Sequence, residues 1–375
     1  MSTFPRIAVA CVLILVAALA QAAPARTAPE LVAYIFPQNS ALAVGQVDPH
    51  SVTRLNYAFA NIQGGRMVTG FTHDAENFAF LTSLRRQNPS LTILVSVGGW
   101  LWSGNFSDIA LTRESRALFI QSAVDFISLY HLDGLDIDWE YPGLPGAGHT
   151  FRPEDKQNFT ALLSELRARF NRESRKSGRR LILTIAAGAS PEFLAHTEMD
   201  KVARLVDNVN LMAYDYYEPG IGPVTGHHAP LFTNPRDPEK NSADDSVRAF
   251  EKAGVPAARL VLGVPLYGHV WSDVPESEHG LYQSGKPAPN PSAPFSSIAS
   301  GLLNHGFIRY WDPVSQVPWL YNSGTRTFVS YEDEQSIVGK CRYVHAHKLA
   351  GIMVWDLEDD DPSATLLKAI HACLQ

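Results

Sequence analysis

Three carboxylates stand at every second position of one short segment, and they are the strongest chemical signal in the chain. Asp136, Asp138 and Glu140 are separated by apolar residues within residues 132–140. In a strand, these side chains would share one face, with neighbours about 6.6 Å apart. Like charges this close cannot all ionise cheaply, so at least one pKa should be raised. A raised carboxyl pKa suits a general acid for glycosidic cleavage. A metal site and a solvated acidic edge are the alternatives.

The elements that must position these acids alternate between apolar strands and amphipathic helices. Nearly continuous apolar runs predict eight buried parallel strands, at residues 31–36, 55–60, 91–97, 132–139, 181–187, 208–214, 260–264 and 351–355. Helical spacing with charges on one face predicts helices at residues 74–87, 112–130, 154–177, 243–253 and 363–373. This pattern predicts an α/β fold, a (β/α)8 TIM barrel with the acids at its C-terminal rim. A doubly wound open sheet is the alternative, but no Gly-rich phosphate turn follows the first strand.

One stretch interrupts the alternation. Residues 270–347 are rich in Pro, Gly, Tyr and Trp and are too long for a single crossover helix. We interpret them as a small α+β insertion between strands 7 and 8. The insertion then belongs to a catalytic barrel domain of residues 23–375.

Composition excludes several classes of protein. The 375 residues carry a formal net charge of -7, with 45% hydrophobic and 18% charged residues. These values argue against a disordered chain, a multi-span membrane protein and a fibrous repeat. The excess of acids argues against nucleic-acid binding, which needs a basic face. No cofactor is expected.

The first 22 residues have the pattern of a signal peptide. One positive charge precedes an apolar run at residues 7–20, and Ala20-Gln21-Ala22 offers a small-x-small cleavage site. A short membrane anchor is the alternative, although the run falls short of the ~20 residues that span a bilayer. We therefore expect a secreted protein, extracellular or periplasmic, with no membrane association after cleavage. Cys341 and Cys373 then remain, either as a disulfide or as two buried thiols.

The acidic segment is similar to a known family signature. Asp133-Gly-Leu-Asp136-Ile-Asp138-Trp-Glu140 resembles the Asp-x-x-Asp-x-Asp-x-Glu motif of the family-18 glycoside hydrolases, the chitinase family. Further segments resemble that family in the expected order, and they include residues 56–60, 96–100, 212–216, 225–231, 263–268 and 353–356. The resemblance covers almost the whole chain after residue 22. The stretch before the last strand is similar to the α+β insertion of one subfamily.

The resemblance implies roles for individual residues. Glu140 would protonate the glycosidic oxygen and then act as base on water, while Asp138 would hold the substrate's 2-acetamido group. Asp136 would tune Asp138 through a shared proton, and Tyr214 would hydrogen-bond the acetamido carbonyl as it attacks. This substrate-assisted route retains the anomeric configuration without a protein nucleophile. Trp355 would form the floor of the sugar site, and the other substrate-binding residues expected are Tyr34, Phe59, Gly99, Trp100, Met212, Asp215 and Tyr267.

The histidines predict no metal site. His227 and His228 have no acid or thiol partner at ligand spacing, so they are interpreted as structural residues. One position departs from the family pattern. Many members carry Arg two residues after the Tyr of the seventh-strand motif, and this chain has His269 there. A long cation is thereby replaced by a shorter, pH-sensitive group.

Three functions are consistent with the sequence. The leading hypothesis is a secreted, monomeric chitinase, endo- or exo-acting, that cleaves β-1,4 linkages in chitin or N-acetylglucosamine oligomers. The second is an endo-β-N-acetylglucosaminidase acting on glycans or peptidoglycan with the same catalytic strand. The third is a non-catalytic chitin-binding lectin, which typically lacks the acid. Glu140, Asp138 and Tyr214 are all present, which favours an enzyme.

Overall fold

Eight parallel strands close into a barrel in the computed structural model, which describes residues 28–375. The predicted signal peptide lies outside the described residues. The barrel strands are β1 (Glu30–Ile35), β2 (Arg54–Gln63), β4 (Thr92–Gly98), β5 (Gly134–Asp138), β6 (Ile182–Gly188), β7 (Asn208–Met212), β8 (Leu260–Pro265) and β14 (Gly351–Trp355). Each strand pairs in parallel with its neighbours, and the pairing of β1 with β2 closes the cylinder. A short strand, β3 (Arg66–Val68), extends β2 as a hairpin. The predicted TIM barrel is confirmed.

Helices cover the outside of the barrel because the outward side chains of the strands are apolar. They are α1 (Asp74–Ser83), α2 (Phe106–Leu111), α3 (Arg113–Leu129), α4 (Asp155–Ser177), α5 (Pro191–Ala195), α6 (Met199–Leu205), α7 (Ala243–Lys252), α9 (Glu334–His347) and α10 (Thr365–Leu374). The alternation in the acidic segment follows this layering. Leu135, Ile137 and Trp139 point outward and are buried, and Trp139 stacks on Phe106 of α2 at 5.2 Å between ring centroids. The intervening acids therefore face the barrel interior.

A five-stranded antiparallel sheet lies between β8 and β14. Its strands are β9 (Tyr267–Ser272), β10 (Lys286–Pro294), β11 (Ile308–Asp312), β12 (Val317–Asn322) and β13 (Thr327–Ser330), with α8 (Phe295–Gly301) between β10 and β11. Trp271, Trp319 and Phe328 form its own apolar core. The sheet begins at Tyr267 rather than at residue 270. Helix α9, which the sequence interpretation included in the insertion, packs against α10 and β14 as barrel helices do.

A side-chain cap fixes the start of helix α9. Asp333 caps α9, because its side chain accepts bonds from the N–H groups of Gln335 and Ser336. A disulfide joins Cys341 of α9 to Cys373 of α10, so the first of the two cysteine alternatives is the one observed.

Among residues 28–375, no helix is both long and apolar enough to cross a membrane.

Candidate active site

The innermost acid, Asp136, is fixed by strand register. The pairing of β4, β5 and β6 places Ser96 and Thr184 directly beside it. Its Oδ2 accepts hydrogen bonds from the hydroxyls of Tyr34 at 2.7 Å and Ser96 at 2.8 Å. Its Oδ1 accepts from the Thr184 hydroxyl and from Asn210 Nδ2, the latter at 3.1 Å. Burial raises the pKa of Asp136, and the hydroxyl donors oppose that rise.

Asp138 lies one layer higher and faces the cleft. Its side chain is almost fully buried, and Oδ1 has no hydrogen-bond partner within residues 28–375. Burial, followed by repulsion from Glu140 and Asp136, raises the pKa of Asp138 well above its usual range. The raised pKa favours the protonated form of Asp138, and its unpaired Oδ1 is available to a ligand in the cleft. In the described part of the chain Asp136 and Asp138 exchange no hydrogen bond, so their shared proton stays a prediction.

Two glycines bring the end of β4 against the backbone of the acid strand. Gly98 and Gly99 have φ values of 107° and 75°, which favour glycine. A Cβ at Gly98 would lie 2.2 Å from the carbonyl oxygen of Asp138, and the Gly99 N–H donates to that oxygen at 2.8 Å. The Ser103 hydroxyl also donates to the Asp138 carbonyl, at 3.0 Å, and accepts from the Glu140 N–H at 2.9 Å. These contacts hold the backbone between Asp138 and Glu140 in place.

Glu140 follows β5 at the C-terminal rim of the barrel. Glu140 is 9% exposed. Its carboxyl is therefore almost shielded from water, although it lines the cleft. Burial raises its pKa to about 7. The hydroxyl of Tyr141 opposes the rise, and the negative charges of Asp215 and Glu218 add to it. A carboxyl with this pKa is protonated over much of the neutral range and can deliver its proton.

Tyr214 reaches the cleft from the end of β7. Gly263 on β8 makes room for it, because a Cβ there would lie 2.9 Å from the ring of Tyr214. Met212 and Tyr214 both line the cleft. Burial, followed by the negative charges of nearby carboxyls, raises the pKa of the Tyr214 hydroxyl well above its usual range and so favours its protonated, donating form.

Asp215 anchors a network at the side of the cleft. Its backbone is left-handed, with φ of 59°. Its Oδ1 accepts a hydrogen bond from the Tyr267 hydroxyl at 2.6 Å and lies 2.8 Å from Nε2 of His269. Nδ1 of His228 lies 3.6 Å from the same oxygen. Burial alone would raise the pKa of Asp215, but the two histidines hold it well below its usual range.

An aromatic floor completes the cleft, whose volume is about 780 Å³. The indole of Trp355 packs against Tyr34, Phe36 and Phe59 with centroid distances of 5.6, 5.8 and 5.5 Å. Trp100 stands at the rim, and 49% of it is exposed. Flat apolar rings beside carboxyls are the surfaces on which proteins stack sugar rings.

The sequence profile described as Glycosyl hydrolases family 18 matches residues 30–360. The chain belongs to this family. It is a glycoside hydrolase, and the resemblance stated from its motifs is confirmed.

Relatives with known names agree with this assignment. Chitinase A1 of Niallia circulans is 36% identical over 378 aligned residues, which cover 84% of this chain and 54% of that protein. The chain thus spans about half the length of that relative. The family 18 N-acetylglucosaminidase of Paenibacillus barengoltzii is 39% identical, with a TM-score of 0.84 and coverage of 92% of this chain and 99% of that one. A class V chitinase from Nicotiana tobaccum, solved in complex with NAG4, is 29% identical, with a TM-score of 0.83 and the same two coverages.

The structure brings the predicted family 18 site residues together. Ten of them line the one cleft, namely Tyr34, Phe59, Trp100, Asp138, Glu140, Met212, Tyr214, Asp215, Tyr267 and Trp355. Asp136 lies beneath the cleft, hydrogen-bonded to Tyr34. Gly99 lies behind the ring of Phe59, since a Cβ there would be 2.6 Å from it. Gly99 therefore shapes the backbone, and its predicted contact with sugar remains a prediction.

Several residues at the site were not predicted from the sequence. Thr184 and Asn210 hold Asp136, and Ser103 holds the backbone of Glu140. A signal for the first two was present, because they are polar residues inside otherwise apolar strands. Glu218 lines the cleft from a loop and gave no comparable signal.

The two adjacent histidines do meet acids in the fold. Nε2 of His227 lies 3.3 Å from Asp312 of β11, and His228 approaches Asp215. Neither acid stands at ligand spacing in the sequence. The partners come from segments that only the fold brings close.

Proposed function

We propose that this family 18 enzyme hydrolyses β-1,4 linkages of chitin or chito-oligosaccharides by substrate-assisted, retaining catalysis. The observation that carries the proposal is the stacked series of buried acids. Asp136 is fixed from four sides, while Asp138 and Glu140 above it carry raised pKa values and face one cleft. The similarity to two proteins named as chitinases supports the substrate class.

We infer a step for each group from its position in the cleft. A sugar stacked on Trp355 would present its 2-acetamido N–H to Asp138, whose Oδ1 has no partner within the described residues. The acetamido oxygen would then attack the anomeric carbon, held by a hydrogen bond from Tyr214. Glu140 would give its proton to the departing glycosidic oxygen. It would next take a proton from the water that opens the cyclic intermediate, so that two inversions give net retention.

The cleft is also suited to a neutral, amide-bearing sugar. Its charged lining within residues 28–375 consists of four carboxyls, and aromatic and aliphatic side chains make up most of the rest. Three of the four carboxyls have raised pKa values, which favour their neutral forms, namely Asp138, Glu140 and Glu218. N-acetylglucosamine units offer apolar ring faces and an amide donor, which match these surfaces.

A pair of oligosaccharide ladders tests the proposal. One ladder contains N-acetylglucosamine oligomers, and the other contains the same oligomers without acetyl groups. The proposal predicts cleavage of the acetylated ladder alone, with the β-anomer as the first product in NMR spectra. The sizes of the products separate endo- from exo-action.

Two variants make the outcome specific to the mechanism. Glu140→Gln should lose at least about 10²-fold in rate, the scale of a general acid, and Asp138→Asn should lose activity as well. Glu251→Gln, on the exposed face of α7, is the matched control. A fully active Asp138→Asn would refute substrate assistance. Cleavage of glycans or peptidoglycan but neither ladder would favour the endo-β-N-acetylglucosaminidase alternative, and sugar binding without hydrolysis would favour the lectin.

We further propose that residues 1–22 direct export of the chain and that the enzyme acts as a monomer outside the cytoplasm. The sequence pattern of the leader and the two cysteines in a disulfide support export. Size-exclusion chromatography with light scattering, and mass spectrometry of the N-terminus after expression with the leader, test these two statements.

A further inference from the structure

Asp215, His228 and His269 form a cluster of three metal-binding side chains at the wall of the cleft. They come from the segment after β7, from the loop that follows it and from β9. One ligand atom from each lies within 4.8 Å of the others. We propose that these three residues are a binding site for a divalent transition cation such as Zn²⁺, which closes the cleft to substrate when bound.

The chemistry of the three donors fits such an ion. Two imidazoles and one carboxylate form the ligand set of many zinc sites, and the fourth position there is left open. Bonds of about 2.0–2.1 Å in a tetrahedron place ligand atoms roughly 3.4 Å apart. Oδ1 of Asp215 lies 2.8 Å from Nε2 of His269 and 3.6 Å from Nδ1 of His228, on either side of that value. Small shifts of the side chains would therefore seat the ion.

Unsatisfied nitrogens give a second, independent indication of a ligand. His228 is fully buried, yet neither of its ring nitrogens has a hydrogen-bond partner within residues 28–375. Leaving a buried polar group unpaired costs about 1–3 kcal/mol. A cation bound to His228 would satisfy one of these nitrogens.

The surroundings hold the ligands in place and admit the ion. The Ser330 hydroxyl accepts the backbone N–H of His228 at 2.8 Å, and the Tyr267 hydroxyl donates to Asp215. Such outer contacts orient the groups that bind a metal. Asp215 is 36% exposed in its side chain and opens onto the cleft, so an ion can enter from there.

The charge of the cleft favours a cation and explains its effect. Acidic side chains, among them Glu218, line the cleft beside Asp215, and no Lys or Arg lines it in the described part of the chain. An ion on Asp215 would occupy the wall that a sugar must contact. Bound zinc should therefore compete with oligosaccharide, a consequence that depends on the proposed function, whereas the binding itself does not.

Metal binding is tested on the whole, tag-free protein after treatment with a chelator. Equilibrium dialysis against Zn²⁺ should show one saturable site per chain. His228→Gln and His269→Gln should each weaken binding by at least about 10-fold, because losing even an outer contact to a metal ligand costs that much. His227→Gln, a neighbouring buried histidine outside the cluster, is the matched control and should bind as the wild type does. Equal losses in the control, or no saturable binding by the wild type, would overturn the proposal.

A second measurement needs no variant. Co²⁺ added to the chelator-treated wild type should give visible absorption of the intensity typical of four- or five-coordinate cobalt, and added Zn²⁺ should abolish it. A spectrum identical to that of hydrated Co²⁺ would contradict the site. In the hydrolysis assay, zinc should raise the apparent KM for oligomers and leave kcat unchanged. Saturable binding at the cluster with no effect on hydrolysis would refute the proposal that the ion blocks substrate, but not the metal site itself. Failure to hydrolyse any oligomer would count against the proposed function alone.

Discussion

Glu140→Gln should make the protein more stable than the wild type, increasingly so as the pH rises. The carboxyl of Glu140 has an ordinary pKa of 4.5, and burial raises its pKa in the folded chain to about 7. A carboxyl whose pKa is raised on folding stabilises the protein fully below its unfolded pKa, and that contribution is lost as the pH passes through its folded pKa. The wild type therefore bears a cost at alkaline pH for ionising Glu140 in a dry site. The amide of the variant bears no such cost.

The size of the effect follows from the two pKa values. One pKa unit corresponds to about 1.4 kcal/mol, so the full cost is about 3 kcal/mol. Between about pH 5 and about pH 8 the advantage of the variant should grow by roughly 2.5 kcal/mol. Asp138 should add to the difference between variant and wild type. The charge of Glu140 is one cause of the raised pKa of Asp138, and the amide of the variant removes that repulsion.

Equilibrium unfolding in urea, followed by tryptophan fluorescence at several pH values, measures this difference. Glu251→Gln removes an exposed carboxyl on α7 and should follow the wild type throughout. A gap between Glu140→Gln and the wild type that stays constant with pH, or that narrows as the pH rises, would refute the assignment of a raised pKa to this carboxyl. The same variant should be nearly inactive, which separates the acid's catalytic role from its effect on stability.

Three further measurements test the proton donor and two other parts of the structure. The kcat/KM of the wild type should fall about tenfold per pH unit above about 7, because Glu140 then loses the proton it must donate; a flat profile up to about pH 9 would exclude it as the acid. Replacing Cys341 and Cys373 by Ser should lower the free energy of unfolding by about 4 kcal/mol, since the disulfide closes a loop with a sequence separation of 32. Urea unfolding with and without reductant would measure this loss. Lys340→Met should lower the free energy of unfolding by about 3–5 kcal/mol in the same assay, because it leaves the buried carboxyl of Glu332 without its cation. An unchanged unfolding midpoint would show that Glu332 is protonated in the folded state.

Local patterns in the sequence were enough to predict the barrel and the acid strand. Parallel strands covered on both faces are apolar along their length, and the alternation around Asp136, Asp138 and Glu140 defines which face is inside. The same patterns could not identify every partner. Thr184 and Asn210 act on Asp136 only because neighbouring strands share a register. No spacing within a single segment carries that information.

Contacts between distant segments account for the remaining differences. The sequence predicted no acid near His228, whereas the fold brings it to Asp215 and to His269 of β9. Helix α9 was grouped with the insertion because it follows the Pro- and Gly-rich stretch. Its buried face is directed at α10 and β14, and the disulfide from Cys341 ties it there. Such assignments depend on which surface a helix covers, which becomes known only once its neighbours are placed.

Substrate assistance is the central claim, and a series of substrates tests it most directly. The sugar on the glycone side of the cleaved bond would carry an acetyl, fluoroacetyl, difluoroacetyl or trifluoroacetyl group on its nitrogen, with the same leaving group throughout. Fluorine withdraws electrons from the carbonyl oxygen and weakens it as a nucleophile. If that oxygen attacks the anomeric carbon, kcat/KM should fall steeply and stepwise along the series. Rates that do not depend on the number of fluorine atoms would contradict the mechanism proposed for Asp138, Tyr214 and Glu140.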